Sequence, residues 1–326
     1  MKLVAALLAA ASLLAGLAGC GGSGAEPGAP SGATLVLDFT PNAVHSGIYA
    51  AQREGLYGEG GVDLKRVDLT ILQPGASTDA PKLLAAGRAD VAILDIHDLG
   101  IAREHGIAIA GMFPLVQRPL AAIITRADRG IASPADLEGR TVGVTGLPSD
   151  EAVVDSEVSA DGGDPSRVKR VTIGFNAVSA LAAGKVDAVT GFWNAEAVAL
   201  RRQGVPIRVF KVDDYGAPPY PELVLATSRK ALGEDPELIF SVLIATLRGY
   251  QLTAEHPERA LDDLLAEVPG LDRAEQRAQL DALLPDLRPA PFDPAVLRAW
   301  ARWDLQHGLL ERPLDVSESF RLGLHP

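Results

Sequence analysis

Residues 84–90 read Leu-Ala-Ala-Gly-Arg-Ala-Asp, and residues 181–187 read Leu-Ala-Ala-Gly-Lys-Val-Asp. Each copy reads as the end of a helix, a glycine at the C-terminal cap and a turn into a buried strand. In a chain so rich in alanine a seven-residue match carries little information alone. The same structural context around both copies gives it weight, and it predicts two halves built on one β-α-β plan.

Outward from the first copy, short β-branched runs alternate with amphipathic stretches, the pattern of an α/β protein with parallel strands. The pattern predicts strands over 34–39, 62–70 and 91–94, with helices over 45–54 and 78–86 and another running to residue 105. Around the second copy it predicts strands over 141–145, 170–173 and 188–190, with helices over 150–160, 176–183 and 194–203. Beyond residue 231 the chain reads as purely helical, over 236–255, 257–267, 273–284 and 294–307. Several of these segments open with proline, which suits a first helical turn.

The N-terminus is of another kind. Lys2 precedes an apolar run, and Leu17-Ala18-Gly19-Cys20 closes it with small residues ahead of the only cysteine. Residues 1–19 are expected to be a secretory signal peptide, too short to serve as a transmembrane anchor. Cys20 is expected to be lipidated, and residues 20–33 to form a flexible Gly/Pro/Ser tether outside the fold. An exported domain with no other cysteine is stabilised by its core alone, without disulfide or catalytic thiol. The chain carries 30 Lys and Arg against 42 Asp and Glu, a net charge of −12 that becomes −13 once a leader containing Lys2 is removed. Such a surface disfavours nucleic acid and anionic lipid as partners.

Ligands of open α/β sheets sit beyond the carboxyl ends of the strands, where helix N-termini present free amides. Four such junctions here carry polar or aromatic residues: Asp38 to Gly47, Asp95-Ile96-His97, Thr145 to Ser149, and Gly191 to Glu196. Two fall in each half, so two facing lobes could close on one small molecule. Candidate ligand-binding residues are Phe39, Asn42, His45, Asp95, His97, Thr145, Gly146, Ser149, Phe192, Trp193 and Glu196. Alternatives stay open: Asn42, Ser149 and Asn194 equally suit helix caps. His45 suits a satisfied histidine, Phe192 and Trp193 a core, and Glu196 a first helical turn. No catalytic residue is expected. The six histidines lack metal-ligand spacing, there is no phosphate loop or Gly-x-Ser-x-Gly elbow, and no nucleophile accompanies Asp95 and His97. Neither a metal nor a cofactor is expected.

The stretches LDFTPNAVHSGIYAAQREGLY (37–57), PKLLAAGRADVAI (81–93), DLEGRTVGVTGLPSD (136–150) and GFWNAEAVAL (191–200) resemble the substrate-binding components of ABC importers. The resemblance is to the family that binds thiamine-pyrimidine precursors, formylaminopyrimidine or hydroxymethylpyrimidine, within the SsuA/THI5-like superfamily. That superfamily also holds fungal thiamine-pyrimidine synthases, riboflavin-binding lipoproteins, and more distant sulfonate and nitrate binders. The resemblance implies a two-lobed type II periplasmic-binding fold. The first lobe would span 34–119 plus 222–326, with the helical tail completing it, and the second would span 120–221. It further implies an aromatic pair around a pyrimidine ring, with Glu196 as the glutamate that accepts from the ring's amino edge. Phe39 stands where the family usually has tryptophan. The lysine of the synthase branch falls at Leu94, and its cysteine-rich run is absent, so self-consuming synthesis is disfavoured.

The reading is therefore a lipid-anchored extracytoplasmic receptor, a monomer, that hands a flat nitrogen heterocycle to a permease and its ATPase. Phe39 with Trp193 or Phe192 would stack on the ring, while Asn42, His45 and the amides of 146–149 would take a polar or anionic substituent. A flavin or a sulfonate or nitrate ligand is the alternative among receptors.

Overall fold

Ten strands form two five-stranded sheets among the described residues, which are 29–60, 64–73 and 79–324 of this computed structural model. The expected leader and Cys20 lie outside them. In chain order the strands are β1 (Ser31–Val36), β2 (Val67–Leu72), β3 (Val91–Asp95), β4 (Ile109–Pro114), β5 (Ala121–Arg126), β6 (Thr141–Val144), β7 (Lys169–Thr172), β8 (Ala188–Phe192), β9 (Ile207–Lys211) and β10 (Leu223–Ser228). The first sheet has the order β2-β1-β3-β10-β4 and the second β7-β6-β8-β5-β9. In each, the first three strands are parallel and the fourth runs antiparallel to both neighbours.

The repeated heptapeptide occupies the same place in both sheets. Gly87 and Gly184 take φ of 65° and 66°, conformations that favour glycine, and each turns a helix end into a central strand. The aspartate that closes each copy then ties three strands together. Asp90 Oδ2 accepts from Thr34 N at 2.8 Å, and Asp187 Oδ2 accepts from Thr141 N at 2.9 Å. From the antiparallel strand beyond, Thr227 Oγ1 donates to the Asp90 carbonyl at 2.6 Å, and Thr125 Oγ1 to the Asp187 carbonyl at 2.8 Å. The sequence echo is thus a structural one.

Four strands lie where the pattern predicted none. β4 and β10 are buried along their whole length and β5 at its four central residues, so no alternation marks them. A short apolar run does not announce a strand by its period; β9 pairs with β5 at the edge of the second sheet. The tether reading also needs correction: Ser31–Ala33 pair with Val67–Leu69 as part of β1.

Two segments pass between the sheets, β4 to β5 through 115–120 and β9 to β10 through 212–222. They are stitched to one another: Leu115 N donates to Leu223 O at 2.7 Å, and Glu222 N to Val116 O at 3.1 Å. After β10 the chain stays helical. Helix Pro236–Glu255 lies across helix Ser46–Arg53 so closely that a Cβ on Gly249 would sit 1.9 Å from Gly47 O. Tyr250 fills the space over Gly47 and donates from Oη to Val44 O at 2.8 Å. The tail thereby fixes the turn that follows β1.

Backbone in contact with backbone cannot yield as a flexible side chain does. Gly249→Ala should therefore cost stability on the order of 1–3 kcal/mol or more, as overpacking does, and lower the melting temperature by several degrees. Thermal unfolding of the ligand-free protein checks this; an unchanged melting temperature would mean the two helices are not held this close.

Candidate ligand-binding cleft

The carboxyl ends of β1, β3, β6 and β8 face one another across a cleft of ≈ 400 Å³ between the two sheets. Phe39, Asn42, Asp95, His97, Thr145, Ser149, Phe192 and Glu196 line it. Three expected residues do not.

His45 is fully buried behind the wall. Its Nδ1 accepts from Asn42 N at 3.1 Å, which leaves Nε2–H to donate to Asp38 Oδ1 at 2.8 Å. It positions Asp38, which does line the cleft. Asn42 is a cap, its Oδ1 accepting from Val44 N at 3.0 Å, yet it also reaches the cleft.

Trp193 belongs to the crossing segments. Its indole N–H donates to Pro119 O at 2.8 Å, its backbone N–H to Leu120 O at 2.9 Å, and Lys211 Nζ lies 3.8 Å above the ring. The aromatic partner of Phe39 is instead Phe175, from the loop after β7, with ring centroids 5.2 Å apart and planes 42° apart. Both rings are exposed, at 40% and 60%, so they meet from the two lobes at the rim.

Gly146 is the third. Its N–H and that of Leu147 donate to Asp150 Oδ2 at 2.8 and 2.9 Å, so two of the amides expected to take an anionic substituent are already spent. Thr145 and Thr190 hydroxyls complete the ring of donors around Asp150, each at 2.6 Å. Because Thr190 lies on β8, this carboxylate also ties β6 to β8 at the cleft floor.

Glu196 folds back so that Oε2 accepts from Phe192 N at 2.8 Å. Gly191 makes room for it, since a Cβ there would come within 3.1 Å of the Glu196 side chain. Burial raises this carboxyl above its ordinary range, and the Phe192 amide works against that. Asn194 is no helix cap: it is buried and lines the cleft with Oδ1 lacking a partner.

The opposite wall holds a second acidic group. Asp95 caps helix Ile96–Glu104 by accepting from His97 N at 2.7 Å, and the Glu222 carboxyl acts on it. Glu222 reaches it from the return crossing, where Oε2 accepts from Leu120 N at 2.5 Å. Burial pushes Asp95 up against the pull of His97, with Glu222 adding to the rise, and burial pushes Glu222 up likewise. Burial alone would lower His97, but Asp304, Asp95 and Glu222 outweigh it and push it up to about 10. Its Nδ1–H donates to Asp304 Oδ1 at 2.8 Å, in a pocket walled by Trp300, Trp303 and Tyr220. Asp98, beside them, is pushed up to about 7, chiefly by burial and then by Asp95.

Phe175, Asp150, Thr190, Asn194 and Glu222 were not among the expected residues. Asp150 and Asn194 stood inside quoted motifs and read as helix starts. Phe175 and Glu222 gave no local signal, because only the packing of two lobes brings them to the cleft.

Residues 42–260 match the profile of the family described as NMT1/THI5 like, two thirds of the chain. The chain belongs to the NMT1/THI5-like family. Within that family it is 32% identical over 297 residues to the formylaminopyrimidine-binding protein of Halalkalibacterium halodurans, covering 88% of each chain. It is 28% identical over 241 residues to a 4-amino-5-hydroxymethyl-2-methylpyrimidine phosphate synthase of Legionella pneumophila, covering 73% of this chain and 74% of that one. Among solved structures it superposes on the periplasmic aliphatic sulphonate binding protein SsuA from Escherichia coli with a TM-score of 0.74. That match covers 89% of this chain and 97% of the other at 17% identity, a likeness of fold. The architecture is the type II periplasmic-binding fold expected from the motifs.

A carboxyl with a raised value in the fold favours the fold when protonated, so its contribution is full at low pH and is lost as pH rises through that value. Asp98 and Asp95 should make the ligand-free protein less stable at pH 8 than at pH 5. Asp98→Asn should flatten that fall. Denaturant midpoints measured across the range check it, and an undiminished slope in the variant would clear Asp98 of any part in it.

Proposed function

We propose that this protein is the extracytoplasmic, lipid-anchored receptor of an ABC importer and that it closes on a flat, amino-bearing nitrogen heterocycle, above all an aminopyrimidine. One observation carries the ligand class. Seven carboxyl side chains and His97 line the cleft, with no lysine or arginine among the described lining residues. His97 is itself balanced by Asp304, and Asp150 occupies the amides at the helix start. A sulfonate, nitrate or phosphate ester would find no cation besides His97, which Asp304 already pairs, and few free donors. An aminopyrimidine brings the complement: an amino group and a ring nitrogen that can be protonated, both in one plane.

In this reading Glu196 accepts from the amino edge, and Phe39 and Phe175 part to admit the ring and cover its faces. The lobes, 34–119 plus 222–326 and 120–221, move about the two crossings at 115–120 and 212–222. Glu222 links motion to occupancy, since one carboxyl both faces the cleft and holds Leu120 of the other crossing. The 32% identity to a formylaminopyrimidine-binding protein supports the same ligand class. A lipid on Cys20 would hold the receptor at the membrane beside a permease.

Thermal shift tests the ligand class. 4-Amino-5-hydroxymethyl-2-methylpyrimidine at a hundred times its dissociation constant should add about 2.7 kcal/mol, a rise on the order of 5–10 °C. Its phosphate ester and an alkanesulfonate should give far smaller shifts at equal concentration. A shift from the sulfonate alone would overturn the reading. Glu196→Gln should weaken the pyrimidine at least about tenfold, or roughly 1.4 kcal/mol; calorimetric titration giving equal affinities would remove Glu196 from the contact.

A further inference from the structure

Helix Arg273–Leu283 lies past the residues that match the family profile, and it walls the cleft on a third side. It packs both on the turn Ala43–His45 after β1 and on helix Glu196–Arg202 of the second lobe. Its N-cap, Asp272, is paired with Arg202 of that second helix, Nη2 to Oδ1 at 3.1 Å. The tail therefore touches both jaws, one of them through the helix that carries Glu196.

The buried face of this helix consists of Gln276, Gln279, Leu280 and Leu283. Two glutamines thus occupy an otherwise apolar stripe, at the end nearer the cleft. They are only 5% and 4% exposed, both line the cleft, and Oε1 of each is buried with no hydrogen-bond partner. For Gln279 the orientation of the amide is fixed by chemistry. Its Nε2 donates to Glu275 Oε1 at 3.3 Å, and a carboxylate can only accept, so Oε1 is the atom left over. Buried polar atoms without partners are rare, and a fold that keeps two of them side by side at a ligand cavity calls for a donor.

We propose that Gln276 and Gln279 accept hydrogen bonds from a donor-bearing arm on the ligand's ring, a hydroxyl or an amide N–H, and so select which ring derivative the cleft holds. The inference rests on the aminopyrimidine reading above and deepens it. Glu196 reads the amino edge, and the tail helix reads the arm. The arms of a formylamino and of a hydroxymethyl pyrimidine both carry such a donor, whereas a methyl arm does not.

The full-length chain and its Gln276→Leu and Gln279→Leu variants are titrated calorimetrically with 4-amino-5-hydroxymethyl-2-methylpyrimidine and with 4-amino-2,5-dimethylpyrimidine, which lacks the hydroxyl. The wild type should prefer the hydroxylated ligand by tenfold or more, since a site built to bond a hydroxyl rejects the analogue without it. The leucine variants should lose most of that preference while binding the dimethyl compound about as well as before. Their melting temperatures without ligand should not fall, because each exchange removes a buried carbonyl oxygen that has no partner and puts an apolar side chain of similar size in its place. Gln276→Met and Gln279→Met repeat the measurement if a leucine variant does not fold. An unaltered preference in the variants, or no preference in the wild type, overturns the role of the two glutamines and leaves the aminopyrimidine reading intact. Failure of the wild type to bind either compound overturns both.

Discussion

Two aspartates hold the architecture in register. Asp90 accepts the Thr34 N–H within β1 and Asp187 the Thr141 N–H that opens β6, while their own carbonyls receive a threonine hydroxyl from the antiparallel strand on the far side. A slip of one residue would turn every side chain of a strand to the opposite face. By fixing where β3 and β8 begin, these two side chains fix where they end, and at those ends stand Asp95 and Phe192. The cleft exists because two copies of one knot bring four strand ends to a common level.

Onto that frame the chain places carboxyl groups in three different conditions. Asp150 is surrounded by four donors and spends its charge within the protein. Asp95 and Glu222 lie buried together, and burial pushes both carboxyls up. Glu196 keeps one oxygen tied to Phe192 N beside the cavity. The same residue type thus serves as a structural pin, a buried pair and a candidate reader of the ligand, and the surroundings alone make the distinction. Fold neighbours described as sulphonate-binding proteins share the frame, and a frame by itself does not set what its cleft holds.

Much of this was legible in order along the chain. The heptapeptide repeat announced two related halves, and the strand-to-helix junctions named eight residues that do line the cleft. Local patterns failed where tertiary packing sets the role. β4, β5 and β10 are buried on both faces and so lack a period. Trp193 sits at a strand end like a stacking residue, but the crossing segment takes its indole N–H and turns it inward. Gly146 presents an amide as a helix start should, and a carboxylate four residues on has already claimed it. Gln276 and Gln279 did leave a trace, as polar residues in an apolar stripe, in a tail that otherwise reads as generic helix.

The sequence by itself determined the α/β class, the two-lobed plan, the helical tail and the junctions at which a ligand would bind. These depend on interactions between residues near in the chain, on periodicity, on caps and on turns that only glycine adopts readily. Tertiary structure alone decided which aromatic faces Phe39, which amides remain free, that Glu222 reaches from the crossing segment to the cleft, and that the tail supplies a third wall. Each of those joins residues from different lobes or from distant segments, where the controlling quantity is which polar atom finds its partner first in a buried space, and no stretch of sequence records that.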